Sequence, residues 1–127
     1  MALKAFLVED NPQIRDGLVE ALAELGAVET AGTAGNEKDA LAWLRNPANH
    51  WDIAIVDLVL EPGGSGFGVL LGLQGRDPVR KVVVLTGSAS PDVRKRCESL
   101  GSDGVFDKSM ETEAMLEYCA TLTRVAD

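Results

Sequence analysis

This sequence is short of positive charge: twelve lysines and arginines stand against twenty aspartates and glutamates, for a net charge of -8. Such a surface repels a nucleic-acid backbone and an anionic membrane alike, so direct nucleic-acid or membrane binding is not among the expected functions. Cysteine is scarce too. Cys97 and Cys119 lack the C-x-x-C spacing of a metal or redox pair and lie in amphipathic segments, which makes them reduced core residues. No run approaches the roughly 18 apolar residues of a membrane span, and the start of the chain has neither the basic residues nor the apolar stretch of a signal peptide; a cytoplasmic protein is expected. The single histidine, His50, sits in the polar turn "NPANH" and is read as solvated rather than catalytic.

What remains is ordinary globular material. Hydrophobic residues make up 46% of 127 and charged ones 25%, which excludes disorder and fits one domain. A chain of this size buries roughly two-thirds of its unfolded surface. Short β-like runs alternate five times with amphipathic helical patterns, the mark of an α/β fold with parallel strands. The strands are placed at Lys4 to Val8, Val28 to Gly32, Ile53 to Asp57, Lys81 to Thr86 and Gly104 to Phe106. "IAIVD" and "VVVLT" are continuously apolar, as strands covered on both faces should be.

The first helix opens at Asn11-Pro12, with Asn11 as N-cap and Pro12 at the first helical position. Ile14, Leu18, Ala21, Leu22 and Leu25 repeat at helical spacing, and Gly26 supplies the stop. A second helix runs from Glu37 to Arg45, a third starts near Phe67, a fourth at Ser90-Pro91 with Val93, Cys97 and Leu100 inward, and a fifth carries Met115, Leu116, Cys119 and Leu122. No internal repeat or linker interrupts the series, so residues 1–127 are expected to form a single domain.

In an open parallel sheet, ligands bind beyond the carboxyl ends of the strands. Glu9 and Asp10 end the first strand, Asp57 the third and Thr86 the fourth, while Lys108 follows the fifth by two residues. If the first and third strands are neighbours, three carboxylates share one pocket. Each pair then repels by about 1 kcal/mol at 4 Å in bulk water and about 4 kcal/mol at an effective dielectric of 20. Such a cluster needs a cation, and a hard ion with oxygen ligands such as Mg²⁺ suits it. With the metal bound, Asp57 could act as a nucleophile toward a phosphoryl group while Thr86 donates to the transferred oxygens. The alternative is plainer: Asp10 as the N-cap of the next helix and Asp57 as a loop residue.

These segments, "FLVEDNPQIRDGL", "DIAIVDLVL", "VVVLTGSA" and "LGSDGVFDKS", taken in this order, resemble a response-regulator receiver domain of two-component signalling over essentially the whole chain. The resemblance implies a flavodoxin-like (βα)5 fold, a three-layer sandwich around a parallel sheet of order 2-1-3-4-5. It implies that Asp57 accepts phosphate, with Mg²⁺, from a sensor histidine kinase or histidine phosphotransfer protein. Asp10 and Asp57 would hold the metal directly, Val59 through its backbone carbonyl and Glu9 through water. Thr86, Gly87 and Lys108 would contact the phosphoryl group. A downstream protein target and a homodimer through the fourth and fifth helices are the implied partners, and no output domain is expected in this chain.

Three departures stand beside the match. Val105 occupies the usual aromatic position, and Phe106, one place later, should face the other way. Ser109 replaces the common proline, and the loop "LVLEPGGSGFG" after Asp57 is one residue longer than usual. Val59 and Ser88 match the family's tuners of water access, and an apolar Val59 cannot position a hydrolytic water, so slow self-dephosphorylation is expected. A receiver-like scaffold that binds partners without phosphorylation is the runner-up. A flavin or haloacid-dehalogenase-like enzyme is weaker, since no flavin phosphate loop is evident and Val59 stands where the dehalogenase acid belongs.

The remaining features read as structural. The glycine-rich stretch from Gly63 to Gly68 matches neither G-x-G-x-x-G nor the P-loop and is expected to be a flexible loop. Trp51 is placed roughly 20 Å from Asp57 by six residues of strand. Arg94, Lys95, Arg96 and Glu98 are expected on a solvated face of the fourth helix, with a partner surface as the alternative. Val19 falls outside the first helix's apolar stripe and is a candidate contact for a kinase or phosphotransfer helix.

Overall fold

Strands without a polar side must be covered on both faces, and the observed layering follows from that. The structure, a computed structural model, describes residues 3–25, 27–60 and 64–126. The elements alternate as β1 (Leu3–Val8), α1 (Pro12–Leu25), β2 (Val28–Ala34), α2 (Glu37–Leu44), β3 (Ile53–Val56), α3 (Gly66–Gly72), β4 (Lys81–Thr86), α4 (Pro91–Ser99), β5 (Gly104–Asp107) and α5 (Thr112–Ala126). The strands form one parallel sheet in the order β2-β1-β3-β4-β5, the flavodoxin-like arrangement.

Alternate residues of each strand feed two cores, because strand side chains point to opposite faces in turn. On one face Phe6, Val8, Ala54, Val56, Val82 and Val84 pack under α2, α3 and α4 with Leu44, Val69, Leu70 and Cys97. On the other, Leu7, Ile53, Ile55, Val83 and Leu85 pack under α1 and α5 with Leu18, Leu22, Met115 and Cys119. Truncating a fully buried residue such as Leu70 to alanine should cost about 2–5 kcal/mol. Trp51 closes the first core at the end of the sheet away from β3's carboxyl end, its indole N–H donating to the Leu44 carbonyl at 3.1 Å.

The helix punctuation is visible in hydrogen bonds. Asn11 Oδ1 accepts from the amides of Gln13 and Ile14, so Asn11 and not Asp10 caps α1. Ser90 caps α4 by accepting the Val93 amide, with Pro91 behind it. Gly101, at φ 97°, ends α4 in a Schellman turn: its own N–H reaches the Glu98 carbonyl and the Ser102 N–H reaches that of Cys97. Gly26 lies outside the described residues, as do Glu61, Pro62 and Gly63, and with them the reading of the longer loop.

Several expectations are corrected. Ile14 is 40% exposed and Leu25 is 68% exposed, so α1's covered face is Leu18 and Leu22. Only the middle of that helix lies over the sheet. Val19, although outside the Leu18 and Leu22 stripe, packs half-buried against the α1/α5 core, and the rest of its surface is open to solvent. Of the α4 charges, Lys95, Arg96 and Glu98 are exposed as expected, and Arg94 is the exception. Arg94 is partly buried in hydrogen bonds to the carbonyls of Ala89 and Val105 and to Glu111, and Arg96 lies over the Phe67 ring at 4.0 Å. Among the described residues, no helix is long and apolar enough to cross a membrane.

Candidate functional site

The register of β1 against β3, Val8 beside Val56, carries the two strand ends to the same level. The next amides are fixed to neighbouring strands: Glu9 N–H donates to the Ala34 carbonyl and Asp57 N–H to that of Val8, each at 2.9 Å. Two residues that look unrelated in sequence are therefore adjacent. Ligand oxygens of Glu9, Asp10 and Asp57 lie within 4.8 Å of one another. Glu9 and Asp57 are buried at 3% and 7% exposure, and Asp10 is half-buried.

Lys108 comes from the far side of the sheet. Thr86 lies beside Asp107, and Lys108 N–H donates to the Thr86 carbonyl at 3.0 Å, which turns the lysine toward the cluster. Its Nζ donates to Glu9 Oε1 at 2.5 Å and to Asp57 Oδ2 at 2.8 Å. Burial alone would lower the lysine's pKa, but the carboxylates of Asp57 and Glu9 outweigh it and hold the ammonium above its usual range. The Glu9 carboxyl moves up as well. Burial is the main cause and the Asp57 charge adds to it, against the Lys108 hydrogen bond and the Asn11 amide that favour the anion.

The other residues of interest stand around this cluster. Val59 N–H donates to Asp57 Oδ1 at 3.3 Å, and its side chain is 57% exposed. Thr86 is fully buried, its hydroxyl oxygen accepting the Ser88 amide at 3.3 Å, and Gly87 is exposed just beyond it. His50 lies outside the cluster, exposed and 3.3 Å from Asp52. Phe106 faces the α1/α5 core, edge-on to Tyr118, while Val105 packs toward the other core. The side chain that β5 presents on the α4 face is thus the aliphatic Val105, and the Phe106 ring lies on the opposite face.

Three carboxylates and one ammonium carry a formal charge of minus two, in a set made only of hard oxygen donors. That donor set fits a divalent ion of the Mg²⁺ type. With such a cation the arrangement can bring an anionic phosphoryl group against the Asp57 carboxylate; without one, the buried charges repel it.

Two side chains that organise this end of the sheet, Glu37 and Glu111, are not among the residues singled out from the sequence. Glu37, at the start of α2, accepts the Ser65 amide at 2.9 Å across 28 residues. Glu111 accepts both the Asp107 amide at 3.0 Å and the Arg94 guanidinium. The spacing of Gly64, Gly66 and Gly68 was the available signal for the first, since alternating glycines mark a neighbour that leaves no room for a Cβ. That stretch is packed rather than flexible over its described part.

Residues 5–120 match the family model described as the response regulator receiver domain. The DNA-binding transcriptional activator DevR/DosR of Mycobacterium tuberculosis is 31% identical over 109 residues, which cover 86% of this chain and 49% of that protein. The response regulator protein PilR of Pseudomonas aeruginosa is 30% identical over 96% of this chain and 26% of its own length. This chain therefore spans half or less of these two curated relatives. Among solved structures, the phosphorylated cyanobacterial phytochrome response regulator RcpA superposes with a TM-score of 0.76 at 28% identity, covering 96% of this chain and 91% of that one. A Francisella receiver domain superposes at 0.83 with 20% identity, over 98% and 99% of the two chains, and speaks for the fold.

Proposed function

The chain belongs to the response-regulator receiver family of two-component signalling, and on that premise we propose that Asp57 accepts a phosphoryl group from a phosphohistidine donor with Mg²⁺ and thereby switches protein–protein interactions. The observation that carries this reading is the buried Asp57 carboxylate held at 2.8 Å by Lys108, with Glu9 and Asp10 beside it. Receivers of this family interact with histidine kinases and downstream effectors, and the donor here is a sensor kinase or a histidine phosphotransfer protein. His50, the chain's only histidine, is exposed and paired with Asp52, away from the acidic cluster.

A lone oxygen pair of Asp57 attacks phosphorus, the new O–P bond forms, and the P–N bond of the donor breaks. The electron pair leaves on the imidazole nitrogen of the donor. Asp10 and Asp57 would hold Mg²⁺ directly, the Val59 carbonyl would add a ligand and Glu9 would act through water; the bound ion supplies charge neutralisation for the phosphoryl oxygens. Lys108 offers a fixed ammonium to the same oxygens, and because its proton is held tightly it stays charged across the physiological range. Thr86 and the Gly87 backbone are the remaining phosphoryl contacts. The aspartyl phosphate then biases the α4 and α5 surface toward a downstream protein or a second copy of the chain. Val59, exposed and apolar, leaves the phosphoryl group without a side chain to orient an attacking water.

The test is intact-mass spectrometry after exposure to phosphoramidate and Mg²⁺. The parent should gain one phosphoryl group and Asp57→Asn none. An unmodified parent would favour a scaffold that binds partners without phosphorylation.

A further inference from the structure

Glu37 sits outside the acidic cluster, yet it is packed against the segment that follows Asp57. It opens α2, where Asn36 caps the helix, and its Oε1 accepts the N–H of Ser65, which itself caps α3. A Cβ on Gly64 would lie 2.6 Å from the Cβ of Glu37, and one on Gly68 would run into the Glu37 carboxylate. Between them, a Cβ on Gly66 would collide with the Asp57 carbonyl and lie 2.7 Å from Leu58 Cα. The stretch from Gly64 to Gly68 is thus a thin layer of backbone pressed between Glu37 on one side and Asp57 and Leu58 on the other.

That layer is bonded to the phosphoacceptor segment. Gly66 N–H donates to the Leu58 carbonyl at 3.0 Å, and Ser65 forms an antiparallel bridge with Val59. Val59 N–H in turn donates to Asp57 Oδ1 at 3.3 Å. A continuous chain of contacts runs from Glu37 through Ser65 and Gly66 to the Asp57 side chain. We propose that Glu37 is a positioning residue for phosphoryl acceptance: through the glycine layer it fixes the backbone of Asp57 to Val59 and so the orientation of the Asp57 carboxylate. This deepens the reading of Asp57 as phosphoacceptor and rests on it. A carboxylate displaced by a fraction of an ångström loses the near-attack geometry on which transfer rates depend.

The experiment compares the parent with Glu37→Gln, Glu37→Ala, Gly68→Ala and the Glu37→Ala/Gly68→Ala double variant. Glutamine keeps an oxygen acceptor for the Ser65 amide. Phosphorylation by phosphoramidate with Mg²⁺ should slow about tenfold in Glu37→Ala at saturating donor, with half-saturation unchanged, and return to within about twofold of the parent in Glu37→Gln. In the same Glu37→Ala protein, amide exchange at Gly66 should accelerate at least about tenfold while the slowest core amides keep their rates, a local opening and not a global one. Gly68→Ala should impair the parent more than it impairs Glu37→Ala, because truncation removes the side chain it strikes. A parental phosphorylation rate in Glu37→Ala, or unchanged Gly66 exchange, overturns the inference and leaves Asp57 as phosphoacceptor. Failure of the parent itself to take a phosphoryl group overturns the Asp57 reading, and with it the positioning role, even where the exchange result shows that Glu37 holds the segment.

Discussion

Replacing Asp57 with asparagine should make the metal-free protein more stable, although it removes an ion pair. Asp57 is attracted by the Lys108 ammonium at 2.8 Å and repelled by Glu9 and Asp10, whose ligand oxygens lie within 4.8 Å. At an effective dielectric of about 20 the attraction is about 6 kcal/mol, and each repulsion at 4.8 Å is about 3.5 kcal/mol, or about 7 for the two. The Coulomb contributions nearly cancel. What remains is the cost of holding a carboxylate that is 7% exposed away from water, a penalty of several kcal/mol per buried ion before compensation. Asparagine keeps the shape and the oxygen that accepts the Val59 amide; its Nδ2 replaces the oxygen that accepts from Lys108, which turns to its remaining partner Glu9.

A net gain of about 1–2 kcal/mol follows, and in a chain of this length that is about 4–8 °C in Tm. Lys108→Met should do the reverse. It leaves three carboxylates without their ammonium and should cost about 3 kcal/mol. Thermal and urea unfolding in EDTA at low salt measure both. An Asp57→Asn protein less stable than the parent under those conditions would refute the reasoning. Adding Mg²⁺ supplies a control: at about 100 times its dissociation constant it should stabilise the parent by about 2.7 kcal/mol, and Asp57→Asn by much less.

Other consequences are simpler to check. Burial pushes the Cys119 thiol up to about 12 and the Cys97 thiol above its ordinary value, so neither should react with a thiol reagent at pH 8 until denaturant exposes both. The Arg94 hydrogen bond holds the Glu111 carboxyl below its ordinary 4.5; its contribution to stability is present above 4.5 and is lost as pH falls through the lower folded value. Arg94→Ala should therefore flatten the fall of Tm in acid, and an unchanged acid limb would argue against the pair. Val59→Asn, which offers a hydrogen-bonding side chain where the parent has an exposed methyl surface, should shorten the lifetime of the aspartyl phosphate several-fold, read by loss of the phosphoryl mass with time.

How much of this was legible depended on the distance over which each signal acts. The bounds of β4, the Asn11 cap and the Ser90-Pro91 start of α4 come from local backbone chemistry, and the residues involved state them directly. The carboxylate cluster was legible because parallel topology puts every strand's carboxyl end on one side, so Glu9, Asp10 and Asp57 needed only neighbouring strands. The hand of Phe106 followed from the two-residue period of a strand.

What escaped were contacts between side chains far apart in sequence. Nothing local in "NEKDAL" announces that Glu37 meets Ser65, or in "PDVRKRC" that Arg94 binds Glu111 rather than water. Periodicity reports which face of an element is apolar; it does not report where along the sheet that element stops. For that reason Ile14 and Leu25 share the apolar stripe of α1 in sequence yet stand beyond its covered middle. Ala27 is a further case. It follows α1 at φ 53°, a left-handed conformation that costs an L-residue about 1–2 kcal/mol and that alanine's helix preference gives no reason to expect.

The central claim is that the Asp57 carboxylate itself forms the bond to phosphorus. Protein treated with phosphoramidate and Mg²⁺ can be reduced with borohydride, which converts an aspartyl phosphate to homoserine, and all aspartate-containing peptides, those with Asp10 and with residues 52 to 60 among them, sequenced by tandem mass spectrometry. Homoserine at position 57 and at no other aspartate is the predicted result. An unreduced position 57 in protein that has gained a phosphoryl group, or reduction at Asp10 instead, would contradict the account.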